Sequence, residues 1–129
     1  MFGSFKEDEG NEVPGPGPDF SSIDSREKAE QMFQEGILEK LHLMPLAYGG
    51  MDGLFNTLYV PIGIAAIKDS FDLNVLRPLI EAGKVRKYRA SPEYQGKSVI
   101  PIAITIVAHD PGQITQTIKI WGEALSRKS

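Results

Sequence analysis

Apolar residues first take up a period at Ala29. Ala29, Met32, Phe33, Ile37, Leu41 and Met44 recur at steps of three and four, which places them on one face of an amphipathic helix. Glu27, Glu30, Glu35 and Glu39 fall largely off that face. Asp24 precedes Glu27 by three positions, the spacing of a capping box, so the helix is predicted to begin there. Pro45 and the glycines after it are predicted to end it. Gly36 sits near the apolar face, where it permits close packing at a cost of ~1 kcal/mol relative to alanine.

The pattern then shifts toward a period of two. In "NTLYVPIGIAAIKDSFD", Leu58, Val60, Ile62 and Ile64 share one face if the segment is a strand. As a helix it would place Pro61 near the first turn, with Ile62, Ala65 and Ala66 along one side. The echo of "YVPIGIA" in the strand-like "VIPIAIT" at 99–105 favours the strand. "FDLNVLRPLIEAGK" predicts a short or kinked second helix, with Asp72 or Asn74 as N-cap, Pro78 interrupting and Gly83 as the stop.

Three further strands follow: "KVRKYRA", "SVIPIAITIVAH" and "QITQTIKIW". Turns at "SPEYQGK" and "DPG" separate them. Ile100, Ile102, Ile104 and Ile106 share one face of the middle strand, and Val99, Ala103 and Val107 keep the other apolar, which predicts a central position. The predicted fold is α+β, with the order α-β-α-β-β-β. It is a two-layer sandwich in which a mainly antiparallel sheet of about four strands packs on the N-terminal amphipathic helix.

Composition adds a boundary. Residues 1–24 carry six acidic groups against Lys6 alone, a net charge of −5, while the other thirteen basic and eleven acidic residues give the rest +2. Within this stretch Pro14, Pro16 and Pro18 alternate with Gly15 and Gly17, which removes donors and raises the entropic cost of order. Residues 1–22 therefore read as a disordered acidic leader, with Phe2, Phe5 and Phe20 able to dock on the body, and 23–129 as one domain. No cysteine is present, which excludes disulfides, thiol nucleophiles and Cys-type zinc sites. The longest apolar stretch, Leu58 to Ile67, is broken by Pro61 and Gly63 and falls short of a membrane span. The N-terminus turns acidic too early for a secretory signal, and the expected location is cytoplasmic.

Candidate chemistry is sparse. "LAYGGMDGLF" at 46–55 holds three glycines, but no lysine follows Gly53 and the spacing fits neither a P-loop nor a dinucleotide fingerprint. A helix-to-strand connection is the simpler reading. His42 and His109 belong to no metal motif, GxSxG is absent, and no metal or cofactor is expected. His42, Tyr48 and Asp52 form a candidate polar pocket. Lys84, Arg86, Lys87, Tyr88 and Arg89 crowd one strand, where cations flanking an aromatic can meet an anionic partner or nucleic acid. The same residues suit a charged sheet edge that resists edge-to-edge pairing, which makes nucleic acid the weaker reading. The acidic leader can also fold back on these cations. Most of Tyr48, Met51, Leu54, Phe55 and Trp121 are expected in or beside the core.

The expected function is that of a non-catalytic protein-interaction or homo-oligomeric module, with a protein or a second copy as partner. The alternative is a small-molecule-binding domain or enzyme with a pocket between helix and sheet. Anionic partners through 84–89 come third, and no membrane partner is expected.

Overall fold

The computed structural model describes residues 18–127. Helix α1 (Arg26–Gln34) leads into β1 (Leu38–His42) and β2 (Thr57–Pro61). A helical run follows, made of α2 (Ile64–Ser70), a π-helical segment (Phe71–Leu76) and α3 (Arg77–Glu81). The chain then forms β3 (Val85–Glu93), β4 (Ala103–Pro111) and β5 (Gln113–Lys119). The fold is α+β with antiparallel sheets. The strands form two sheets, β1–β2 and β3–β4–β5, instead of one sheet of about four, and the order begins α-β-β rather than α-β-α.

Gly36 is the reason that a strand follows α1 so soon and the order begins α-β-β. Its φ of +80° is left-handed, its N–H donates to the Phe33 carbonyl, and the Ile37 N–H reaches back to Met32 at 2.9 Å. That is a Schellman stop, which ends α1 ten residues before Met44. Leu41, read as part of the helical face, is instead buried in β1 together with Leu38, a three-residue spacing that puts the two on opposite faces of the strand. At the other end, Ser25 rather than Asp24 is the N-cap, accepting from the Lys28 N–H at 3.2 Å. Asp24 instead binds the Lys28 ammonium at 2.8 Å.

The ambiguous stretch 57–68 is both things in turn. β2 runs to Pro61 and α2 begins at Ile64. Gly63 carries no capping side chain and sits at a φ of +104°. Glu39 of β1 does the capping across space, its Oε2 accepting from the N–H groups of Gly63 at 2.8 Å and Ala65 at 3.0 Å. A carboxylate there also meets the positive end of the helix dipole. Further on, Pro78 has no N–H for the carbonyl four residues back, and the run takes its π-helical turn just before it. Gly83, at a φ of +72°, stops it.

The helical run, more than α1, covers the three-stranded sheet: α2 meets β5 and α3 meets β3, while α1 lies on β1 and β2. Ile100, Ile102, Ile104 and Ile106 are fully buried, each such side chain contributing ~1.5–3 kcal/mol. Ile104 pairs with Ile118, and Ile106 with Ala90, so β4 is the central strand. Trp121 closes the far end, donating from Nε1 to the Ile100 carbonyl at 3.0 Å. Phe20, assigned to the leader from sequence, is buried edge-on against Trp121 at 6.0 Å, and its carbonyl accepts from Ser98 Oγ. Residues 1–17 of the leader, including Phe2, Phe5, Pro14 and Pro16, lie outside the described residues. Among the described residues no helix is long and apolar enough to cross a membrane.

Candidate functional site

The segment between β1 and β2 is a connection between two strands, not between helix and strand, and it is tightly built. The Asn56 side chain donates to the carbonyls of Met44 and Met51, both at 2.9 Å, and accepts from the Met44 N–H at 2.8 Å. A β-carbon at Gly50 would lie 2.1 Å from the Met44 carbonyl oxygen, so only glycine fits there. Gly49 caps a 3-10 turn over Leu46–Tyr48 at a φ of +94°. On this cinched loop Phe55 is 96 % exposed, Met51 77 % and Leu54 73 %. The expectation that these three belong in or beside the core is overturned. Trp121, expected with them, is buried.

The structure divides the predicted polar pocket. His42 and Asp52 do meet, Nε2 to Oδ1 at 3.0 Å, but the Asp52 side chain is 82 % exposed, which makes a surface pair. Tyr48 turns the other way. Its hydroxyl donates to the Asp72 carbonyl, and its ring packs edge-on against Tyr88 at 5.9 Å. The strand cations divide as well. β3 is an edge strand. Lys87 and Arg89 alternate onto its solvent side, with Lys87 Nζ 3.9 Å from Asp110, whereas Tyr88 opposes Ala108 and faces inward. Lys84 precedes the strand and contributes its carbonyl to the Gly112 N–H.

Behind the tyrosines lies a group that sequence reasoning missed. Lys68 and Asp72 form a 2.7 Å ion pair with each side chain 2 % exposed. Lys68 Nζ also donates to the Tyr88 hydroxyl at 2.8 Å, and that hydroxyl donates to Asp72 Oδ1 at 2.9 Å. Lys68, Asp72 and Leu76, spaced by four, are the buried line of the helical run, while Ile67, Leu73 and Val75 are exposed. Burial holds the Lys68 ammonium below the usual lysine range, against the opposing pull of its bond to Asp72. Burial first and the Asp72 charge second push the Tyr88 phenol far above the tyrosine range, and the Tyr48 phenol moves the same way for the same reasons. The sequence signal was a lysine and an aspartate at helical spacing, hidden because Lys68 read as strand end and Asp72 as N-cap.

Two clefts flank this pair. One, of about 240 Å³, is bordered by Lys40, His42, Leu46, Lys68, Asp69 and Asp72, among others. The second, of about 320 Å³, takes Tyr48 from the predicted pocket and Arg86, Lys87 and Tyr88 from the basic strand, with Met44, Ile80 and Ala108 beside them. Among the described residues no three His, Asp or Glu side chains stand close enough to hold a metal ion. Compared with protein-family models, curated proteins and solved structures, the chain matches none.

Proposed function

We propose that this domain works as a non-catalytic protein-contact module, with Met51, Leu54 and Phe55 as the anchor. The observation that carries the reading is the near-complete exposure of Phe55 on a loop whose backbone is fixed by Asn56 and Gly50. Exposed apolar side chains scattered singly need no explanation, but three within five residues form a patch. Large apolar side chains near the centre of an interface carry most of its binding energy. A loop already held in one shape also loses little entropy on docking. The partner this suits is a protein surface with an apolar recess, either a second copy or another chain.

The test pairs sedimentation analysis with site-specific photo-crosslinking from position 55 in cells. A discrete adduct, or a dimer of the purified chain that Phe55→Ser dissociates while leaving the fold intact, supports the reading. A chain that stays monomeric at millimolar concentration and gives no discrete adduct from position 55 overturns it.

A further inference from the structure

Tyr48 and Tyr88 stand at a junction between two environments. Their hydroxyls are taken up on the inner side, Tyr48 by the Asp72 carbonyl and Tyr88 by Asp72 Oδ1 and Lys68. Their polar ends are thus satisfied away from the second cleft, and both residues line it. Met44, Ile80 and Ala108 supply the rest of its apolar wall, and its volume of about 320 Å³ lies at the small end of ligand pockets. Tyr88 is anchored on the buried Lys68–Asp72 pair and Tyr48 on the Asp72 main-chain carbonyl, so the wall they form is held before any ligand arrives.

The mouth of this cleft is cationic. Arg86 and Lys87 border it and are exposed. Among the described residues no carboxylate lies within 4.0 Å of the Arg86 guanidinium, and Lys87 has only its 3.9 Å surface pair with Asp110. An apolar cleft walled by a contacting pair of tyrosine rings suits a flat ring. A guanidinium at its mouth selects an anion through charge-assisted hydrogen bonds. The volume admits one or two fused rings and excludes a dinucleotide.

We propose that the cleft between Tyr48, Ile80 and the Arg86–Tyr88 stretch is a binding site for a small aromatic ring carrying a single anionic group. The ring enters against Tyr48 and Tyr88, and the anion remains at the mouth on Arg86, which shares Tyr88's side of β3, with Lys87 adding its charge from the strand's other side. This site shares no residue with the Met51–Phe55 patch, so the two can be tested apart.

Chemical-shift mapping on the full chain with 2-naphthoate tests it, using 2-naphthyl phosphate and the neutral 2-naphthalenemethanol as further arms. The expected result is saturable shifts at Met44, Tyr48, Arg86 to Tyr88 and Ala108. Affinity should fall about tenfold for the neutral compound and by a similar factor in Arg86→Ala/Lys87→Ala. Ile80→Trp, which fills the slot from its rim, should abolish the shifts, while Phe55→Ser should leave them unchanged. Whichever anion binds more tightly, the result supports the site and names the acid group. Shifts confined to other residues, or equal binding of the neutral compound, would overturn the proposal. The exposed Arg86→Ala/Lys87→Ala pair keeps the test decisive if Ile80→Trp fails to fold.

Discussion

Lys68 and Asp72 form a salt bridge of 2.7 Å in which neither side chain is more than 2 % exposed. Burying both charges costs several kcal/mol per ion in desolvation, which their mutual attraction offsets only when the remaining polar atoms are satisfied. Here Tyr88 does part of that, accepting from one partner and donating to the other. Removing one partner alone leaves a naked buried charge. Lys68→Met or Asp72→Leu should each destabilise the domain by ~3–5 kcal/mol, while the double variant should recover most of that loss. Urea unfolding of the three variants checks this. Double-variant stability no better than that of either single variant would refute the pairing.

Glu39 and the start of α2 offer a milder test. The Glu39 carboxylate accepts from two N–H groups that no residue of α2 caps. Glu39→Ala should therefore cost ~0.5–2 kcal/mol. Glu39→Gln, which keeps an acceptor but loses the charge at the helix dipole, should lie between wild type and alanine. Thermal melts read the difference, and equal melting of all three chains would show that water replaces the carboxylate.

What was legible in the sequence tracks what local chemistry decides. Alternation reveals three strands after Gly83, but the middle one, expected over 98–109, begins only at Ala103, which leaves Ile100 and Ile102 ahead of it. The first runs on through Glu93 into the expected turn. The pattern runs past the end of α1 because Ile37, Leu41 and Met44 keep helical steps in sequence, although Ile37 is exposed and Leu41 is buried in a strand. Gly36 followed by the apolar Ile37 was the signal that should have outweighed it. The separation into two sheets left no local trace, because it depends on the helical run that lies between them. The Lys68–Asp72 pair was visible as a spacing only after 64–81 was known to be helical, since propensity alone cannot say that a helix turns two charges inward. The convergence of Tyr48 with Arg86 and Tyr88 needed the tertiary fold.

The loop carrying Phe55 separates stability from contact. Asn56→Ala removes three side-chain hydrogen bonds and should cost ~1–3 kcal/mol. Gly50→Ala forces the loop away from Met44, and limited proteolysis should then open 46–55 in both variants. Phe55→Ser, by contrast, should change stability by no more than ~0.5 kcal/mol, because the ring touches little in the folded chain. Unfolding curves of the three variants, set beside their rates of cleavage, check the contrast. A large loss from Phe55→Ser would mean the ring packs in solution after all.

Alkaline pH should unfold the domain through its tyrosines. The phenols of Tyr48, Tyr59, Tyr88 and Tyr94 all lie above the ordinary value of 10.0, in each case with burial as the largest cause. A raised folded value means that the unfolded chain gives up its proton first, so this stability is fully present below pH 10 and is lost as pH climbs above it. Lys68 pulls the other way. Its lowered value makes stability rise with pH between its folded value and 10.5, but Tyr88 is displaced much further and the net slope above pH 10 should be downward. Tyr88→Phe removes the largest of these contributions. The variant should be less stable at neutral pH, through the lost bonds to Lys68 and Asp72, and its stability should fall less steeply above pH 10. Unfolding free energies measured at closely spaced pH values from neutral to strongly alkaline give both slopes. Parallel alkaline limbs in the two chains would mean that Tyr88 titrates like an exposed phenol and that the cluster is open to water.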